Sequence, residues 1–309
     1  MDAVRLKTEH LVNPMGVDFV APTLYWNCRG GQWQTAYQIT ATDDSGMPLW
    51  DSGKVSGSAM RATWGGKPVA PKTKVLWNLR LWDENDEPGP WAQAAFETGI
   101  DTWRGKWIAG NYKVHPKRRY PVDCFRKRFS TEGVCKARLY ITSCGLYEAK
   151  LNEVRVGEFI LAPGITDYRK RVQYQTYDVT ALLKDGENVF TVQLADGWYR
   201  GSCGAWGLRN QYGTETKLLC QLEILHTDGS WQTIFTDESW DWSNDGPIRF
   251  ADNKDGEVVN AGDAPSYSGK AKVTYHPVVP SSSNNVPVTE HERLKPAKIM
   301  TPSGKTVLD

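Results

Sequence analysis

The sequence predicts an all-β protein built of sandwiches, on three observations. First, apolar and polar residues alternate with a period of two in run after run. Examples are Ala36-Tyr37-Gln38-Ile39-Thr40-Ala41-Thr42, and Phe190, Val192, Leu194 against Val189, Thr191, Gln193. That period sets one face of an extended strand on a core. Second, the runs are punctuated by turn residues such as Asp43-Asp44-Ser45-Gly46, Pro163-Gly164 and Asp185-Gly186, which supply positive φ or force a reversal. Third, no long run with a 3.6-residue period and helix caps occurs.

Taken in order, residues 1–102 read as a fibronectin-III or Ig-like β-sandwich. Pro22-Thr23-Leu24-Tyr25-Trp26 is a strand with an apolar face. Leu49-Trp50-Asp51-Ser52-Gly53 leads into another turn, and Val75 to Trp82 alternates again before Asp83-Glu84-Asn85-Asp86. Regular strands with turn signals between them argue for a sandwich. Trp77 and Trp82 differ in strand parity, so one of them at most is a central core residue. Trp103-Arg104-Gly105-Lys106-Trp107-Ile108 is a Trp-rich joint.

Residues 103–262 read as a second sandwich, a jelly roll of the galactose-binding kind. It holds Ala137 to Gly201, a strand, short hairpin, long crossing loop and strand. A further hairpin, Lys217–Ile224 with Trp231–Phe235, is closed by Thr227-Asp228-Gly229-Ser230. Residues 263–309 read as a linker, Ser281-Ser282-Ser283-Asn284-Asn285, followed by the first strand of a third sandwich from Thr301 to Asp309.

Six pieces of the second sandwich stand in an order that resembles the N-terminal domain of bacterial α-L-rhamnosidases, glycoside hydrolase family 78. They are Tyr147-Glu148, Leu151-Asn152 with Val156-Gly157, Leu161-Ala162-Pro163-Gly164, Thr166-Asp167-Tyr168, Tyr174 to Thr180, and Asp196 to Gly201. Asp255-Gly256-Glu257 resembles a further piece, with Asn260 where the family usually has Asp. The first sandwich resembles the fibronectin-like module that opens many of these enzymes, through Tyr37-Gln38-Ile39, Trp50-Asp51-Ser52-Gly53, Trp82-Asp83, Trp91 and Phe96-Glu97-Thr98-Gly99. The resemblance implies a parent enzyme that hydrolyses terminal α-L-rhamnosyl bonds with inversion, by two carboxylates in an α/α barrel. No stretch here reads as that barrel. The chain is therefore expected to be a non-catalytic front part of such an enzyme, with the catalytic domain missing, and no residue is assigned a catalytic role.

Composition bounds the partners. With 37 Lys and Arg against 36 Asp and Glu, the net charge is +1. Short basic runs such as Lys117-Arg118-Arg119 read as solvated loops, so no nucleic-acid partner is expected. No apolar run reaches the length of a membrane span. The N-terminus lacks the apolar core of a signal peptide. A cytoplasmic location is expected, or a secreted one if a signal was removed. Six cysteines show no C-x-x-C spacing and read as ordinary thiols. The five histidines show no zinc-ligand spacing.

The expected partners are the missing catalytic domain, rhamnose-containing glycosides and, as a structural alternative, a second copy in a homodimer. A stand-alone carbohydrate-binding module is another alternative. A sugar site needs an aromatic face for the C–H patch and planar polar groups for hydroxyls. The loop from Asp196 to Trp206 offers both in Asp196, Trp198, Tyr199, Arg200 and Trp206. Its glycines would turn the rings outward. Asn152 and Glu153, in the hairpin bend, would supply oxygens to a sugar or a calcium ion. No cofactor is expected beyond that calcium. The competing reading is that Trp198 and Tyr199 pack the domain against the missing catalytic half.

Overall fold

The computed structural model describes residues 1–204, 206–301 and 303–308. Its first sandwich sets a three-stranded sheet, ordered Asp2–Thr8, Thr23–Arg29, Arg61–Thr63, against a larger sheet. The larger sheet runs Met15–Val17, Ala92–Thr98, Lys74–Trp82, Ala36–Asp43, Pro48–Asp51, with Val55–Ser56 also paired to Ala36–Asp43. Alternation sends Val75, Trp77 and Leu79 inward, where they meet Leu24, Trp26, Ile39 and Phe96. Trp77 is fully buried. Trp82, of opposite parity, lies under the ammonium of Lys54, 4.9 Å from its ring centroid.

The second sandwich has a sheet ordered Lys272–Val273, Ile108–Ala109, Lys217–His226, Val134–Cys144, Gln173–Asp178, Ser281–Ser282, with Trp231–Phe235 also paired to Lys217–His226. Facing it is a sheet ordered Val154–Arg155, Leu146–Leu151, Gly186–Ala195, Asp123–Thr131, Asp241–Ser243, Gly269–Lys270. Phe125, Leu139, Ile141, Phe190, Val192, Leu194, Leu222 and Trp240 fill the space between them. A separate hairpin, Ile248–Asp252 with Gly256–Val259, carries the Asp255-Gly256-Glu257 piece on its turn.

Two expectations change. The linker placed after residue 262 instead contributes edge strands: Gly269–Lys270 and Lys272–Val273 pair with Asp241–Ser243 and Ile108–Ala109, and Ser281–Ser282 runs parallel to Gln173–Tyr174. Their short backbone stretches satisfy edge groups that would otherwise face water. The expected lone strand near residue 301 is half of a hairpin, Ile299–Met300 with Thr306–Leu308. Pro302 and Asp309, part of that expectation, lie outside the described residues, as does Ala205 in the candidate loop. No helix among the described residues is long and apolar enough to cross a membrane.

The back face of Val134–Cys144 is buried as well, because the first sandwich packs on it. Arg138 forks onto Glu97, Nε to Oε1 at 2.8 Å and Nη2 to Oε2 at 3.0 Å. Its Nη1 reaches Asp178 at 2.8 Å. Beside this pair, Tyr140, Tyr174, Ile100 and Trp103 form a small apolar cluster. Tyr174 donates its hydroxyl to Asp18 Oδ1 at 2.7 Å. Gly16 and Gly99 are required there, since a Cβ on either would stand within about 2 Å of Thr176 Oγ1 or the Tyr174 hydroxyl.

Candidate functional site

The loop expected to carry the site begins with a single helical turn, Gly197–Arg200. The turn is wedged against Gly145 and Leu146 on one side and Asp252 on the other. Gly197 has φ +51, and a Cβ there would stand 2.5 Å from Leu146 Cγ; one on Gly201 would stand 2.2 Å from the Gly197 carbonyl. The glycines therefore serve a close approach of the turn to the sheet, and this aims the aromatic pair inward rather than outward. Tyr199, 5% exposed, packs with Trp107, Cys144, Tyr168 and Leu219, and Trp198 lies half-buried against the same cluster.

Asp196 and Arg200 are consumed by a buried network. Arg200, 2% exposed, donates from Nε to Asp196 Oδ1 at 2.7 Å and from Nη1 to the Tyr112 hydroxyl at 2.7 Å. Arg209 pairs with the other Asp196 oxygen. The Tyr112 ring stacks on Trp242, whose indole N–H donates to Asp123 Oδ1 at 3.0 Å; Thr216 donates to Oδ2 at 2.7 Å. Burial pushes the Asp123 carboxyl and the Tyr112 phenol above their ordinary values. Ser202 closes the loop, its N–H donating to Asp252 at 2.6 Å and its hydroxyl to Asp255 at 2.8 Å. Buried groups paired in this way hold a loop in place, although Arg200 Nη2 and Arg209 Nε are buried without a hydrogen-bond partner.

Asn152 and Glu153 are not brought to this loop. In the ladder between Leu146–Leu151 and Gly186–Ala195, Leu146 faces Ala195 and Leu151 faces Phe190. The hairpin bend and the loop thus sit at opposite ends of the ladder, roughly 17 Å apart at about 3.4 Å per residue. Asn152 is a structural turn residue with φ +50. Its Nδ2 donates to the Leu182 carbonyl at 2.9 Å and to Asn188 Oδ1 at 2.8 Å, and its Oδ1 accepts from Val189 N–H at 3.0 Å. Glu153 is exposed in the same bend. Among the described residues, no three His, Cys, Asp or Glu side chains converge to hold a metal ion.

Within the loop, the candidate that faces solvent is Trp206, 87% exposed. It stands between Gly204 and Gly207, both at positive φ, in a bend closed by Cys203 N–H donating to the Leu208 carbonyl at 3.0 Å. A hollow of about 250 Å³ on the same stretch of chain is lined by Arg169, Cys203, Gly204, Leu208, Gln211 and Tyr212. The Arg169 guanidinium sits 5.5 Å from the Tyr212 ring centroid. Tyr212, Arg169 and Gln211 were missed by sequence reasoning. Arg169 comes from another loop, and no periodicity marks any of the three. The hollow offers the Tyr212 ring and the Gln211 amide, while the Arg169 guanidinium donates from Nε and Nη2 to Asp167 at 2.8 and 3.1 Å.

Two packed β-sandwiches, the second carrying an exposed aromatic side chain on a loop, define an all-β two-sandwich module. The chain belongs to the α-L-rhamnosidase N-terminal domain family: residues 132–300 match "Alpha-L-rhamnosidase N-terminal domain", and residues 3–102 match "Rha78A-like, N-terminal immunoglobulin domain". It is 32% identical over 98% of its length to 35% of an α-L-rhamnosidase of Formosa agariphila. It is 48% identical over 62% of its length to 19% of one from Streptomyces avermitilis. The solved α-L-rhamnosidase of Aspergillus terreus superposes with a TM-score of 0.88 at 29% identity, over 98% of this chain and 38% of that one. The chain thus spans about a third or less of the curated relatives it matches.

Proposed function

We propose that this chain is the non-catalytic N-terminal region of an α-L-rhamnosidase, supporting the catalytic part and contacting rhamnose-bearing glycan through the Trp206 surface. The observation that carries the first half is the match of nearly the whole chain to a third of an α-L-rhamnosidase. The second half rests on Trp206, a large aromatic 87% exposed to water. Such exposure costs hydrophobic free energy unless a ligand or partner covers the ring. A sugar's C–H face is one such cover.

The chain by itself performs no hydrolysis in this reading: purified protein should release no phenol from an aryl rhamnoside. Titration with L-rhamnose should give a saturable tryptophan fluorescence change that Trp206→Ala removes. No saturation up to tens of millimolar, an affinity near −2 to −3 kcal/mol, would sink the glycan contact and leave a purely supporting role.

A further inference from the structure

A second hollow, of about 270 Å³, lies on the outer face of the second sandwich. It is close to the lower end of the roughly 300–1,000 Å³ of small-molecule sites, a size for one sugar unit rather than a chain of them. Its floor is the ladder where Glu148 and Gln193 stand directly opposite each other, both turned away from the core that Tyr147, Ala149, Val192 and Leu194 enter. The hairpin Ile248–Asp252 with Gly256–Val259 walls one side, and the stretch from Arg155 to Leu161 walls another. Both walls are tied down. The Val122 N–H donates to the Ile248 carbonyl at 3.1 Å, and the Ile160 N–H to the Val288 carbonyl at 2.8 Å.

Leu161 is the unusual residue of the rim. It holds φ +59 and is 42% exposed. A bulky non-glycine residue is rarely found in the left-handed region, and strain of this kind persists where the surroundings enforce it. Here it sets an apolar side chain over the hollow, beside Ile160 and Ile248.

The polar lining is open. Arg155 is committed, donating from Nε to Glu148 Oε1 at 2.9 Å and from Nη1 and Nη2 to the Gly157 and Phe159 carbonyls at 3.2 and 3.1 Å. Among the described residues, Glu148 Oε2, the Gln193 and Asn253 amides and the Glu257 carboxylate have no protein hydrogen-bond partner. Carboxylates accept from hydroxyls, and amides both donate and accept. An anion would meet two carboxylates here, and a cation would meet the Arg155 guanidinium beside Glu148. No three acidic, His or Cys side chains converge on a metal among the described residues.

We propose that this hollow holds one neutral sugar unit, its hydroxyls on Glu148, Gln193, Asn253 and Glu257 and an apolar edge against Leu161. The neutral-sugar assignment stands on the hollow's own groups; the choice of a rhamnoside as probe rests on the function proposed above.

No tryptophan lines the hollow, so tryptophan fluorescence reads the Trp206 surface, and calorimetry of the full chain carrying Trp206→Ala reads the hollow. Methyl α-L-rhamnopyranoside should give saturable heat in Trp206→Ala. Adding Leu161→Gly should weaken it about tenfold with the melting temperature held, because glycine suits φ +59. Adding Glu257→Gln, an exposed change, should weaken it severalfold. D-Glucuronate and methylammonium should bind far more weakly than the rhamnoside. No heat in Trp206→Ala, an affinity that neither added change moves, or glucuronate or methylammonium bound as tightly as the rhamnoside would overturn the proposal. Heat that persists in Trp206→Ala, with no fluorescence change in the unaltered chain, would keep the hollow and remove the Trp206 contact instead.

Discussion

Asn152 shows how one side chain can look like a ligand donor and act as a fastener. Its amide joins three backbone and side-chain groups across the hairpin bend, at φ +50. Asn152→Ala would leave the Val189 N–H and Leu182 carbonyl without that partner and put an alanine in the left-handed region. The expected loss is about 2–3 kcal/mol of unfolding free energy, with L-rhamnose affinity unchanged. Lost affinity at unchanged stability in a urea titration would return Asn152 to the binding surface.

His276 is a second residue-scale case. Only 9% exposed, it lies against Trp107 at 5.3 Å and Tyr199 at 6.4 Å, and neither ring nitrogen has a partner. Burial, with the Lys217 ammonium nearby, lowers its pKa to about 4 from 6.5. Between those values the unfolded chain takes up a proton that the folded chain refuses. Stability therefore falls as pH drops from about 6.5 to 4, by on the order of 2 kcal/mol from this group. Asp123, whose carboxyl is pushed up by burial, acts with the opposite sign, so the difference between unaltered and His276→Phe stability curves is the readout. Parallel curves across that window would refute the assignment.

At the scale of elements, the strands that alternate were legible because period two is a property of the local sequence: Ala36–Asp43 and Gly186–Ala195 fall where alternation puts them. The two-residue strands from Gly269 to Ser282 were not, since two residues carry no period and their pairing is decided by the edge they meet. The same limit hid which rings of the candidate loop turn inward. The glycines around Trp198 and Tyr199 were visible, but whether a glycine releases a ring or admits a backbone depends on Leu146, which is far away in sequence. The outward turn of Trp206 agrees with the sequence reading of its glycine-rich stretch.

The Ala92–Thr98 and Val134–Cys144 strands carry an element-scale prediction. Glu97 and Arg138 form a buried fork, and removing one partner strands a charge. Glu97→Ala should cost about 3 kcal/mol, the low end for a broken buried pair because Arg138 keeps Asp178. Glu97→Ala with Arg138→Met should cost less than the two single changes added together. Strict additivity in a denaturant double-mutant cycle would mean that the pair is not coupled.

The whole molecule is held by more than that pair. Lys72 of the first sandwich reaches Glu223 of the second at 2.9 Å. Asp18 accepts from the Tyr174 hydroxyl and from the Ser282 N–H, while its own N–H donates to the Ser282 hydroxyl at 3.1 Å. One carboxylate thus ties the first sandwich to a sheet strand of the second and to the segment returning across it. Domains joined through buried charges, a shared aromatic cluster and a crossing segment lose these contacts together, so their unfolding is coupled. A calorimetric scan of the chain should show one transition whose van't Hoff and calorimetric enthalpies agree. Asp18→Ala combined with Glu97→Ala removes the two main polar ties and should resolve two transitions, one per sandwich. Two transitions in the unaltered chain would show that the junction is a contact between independent domains.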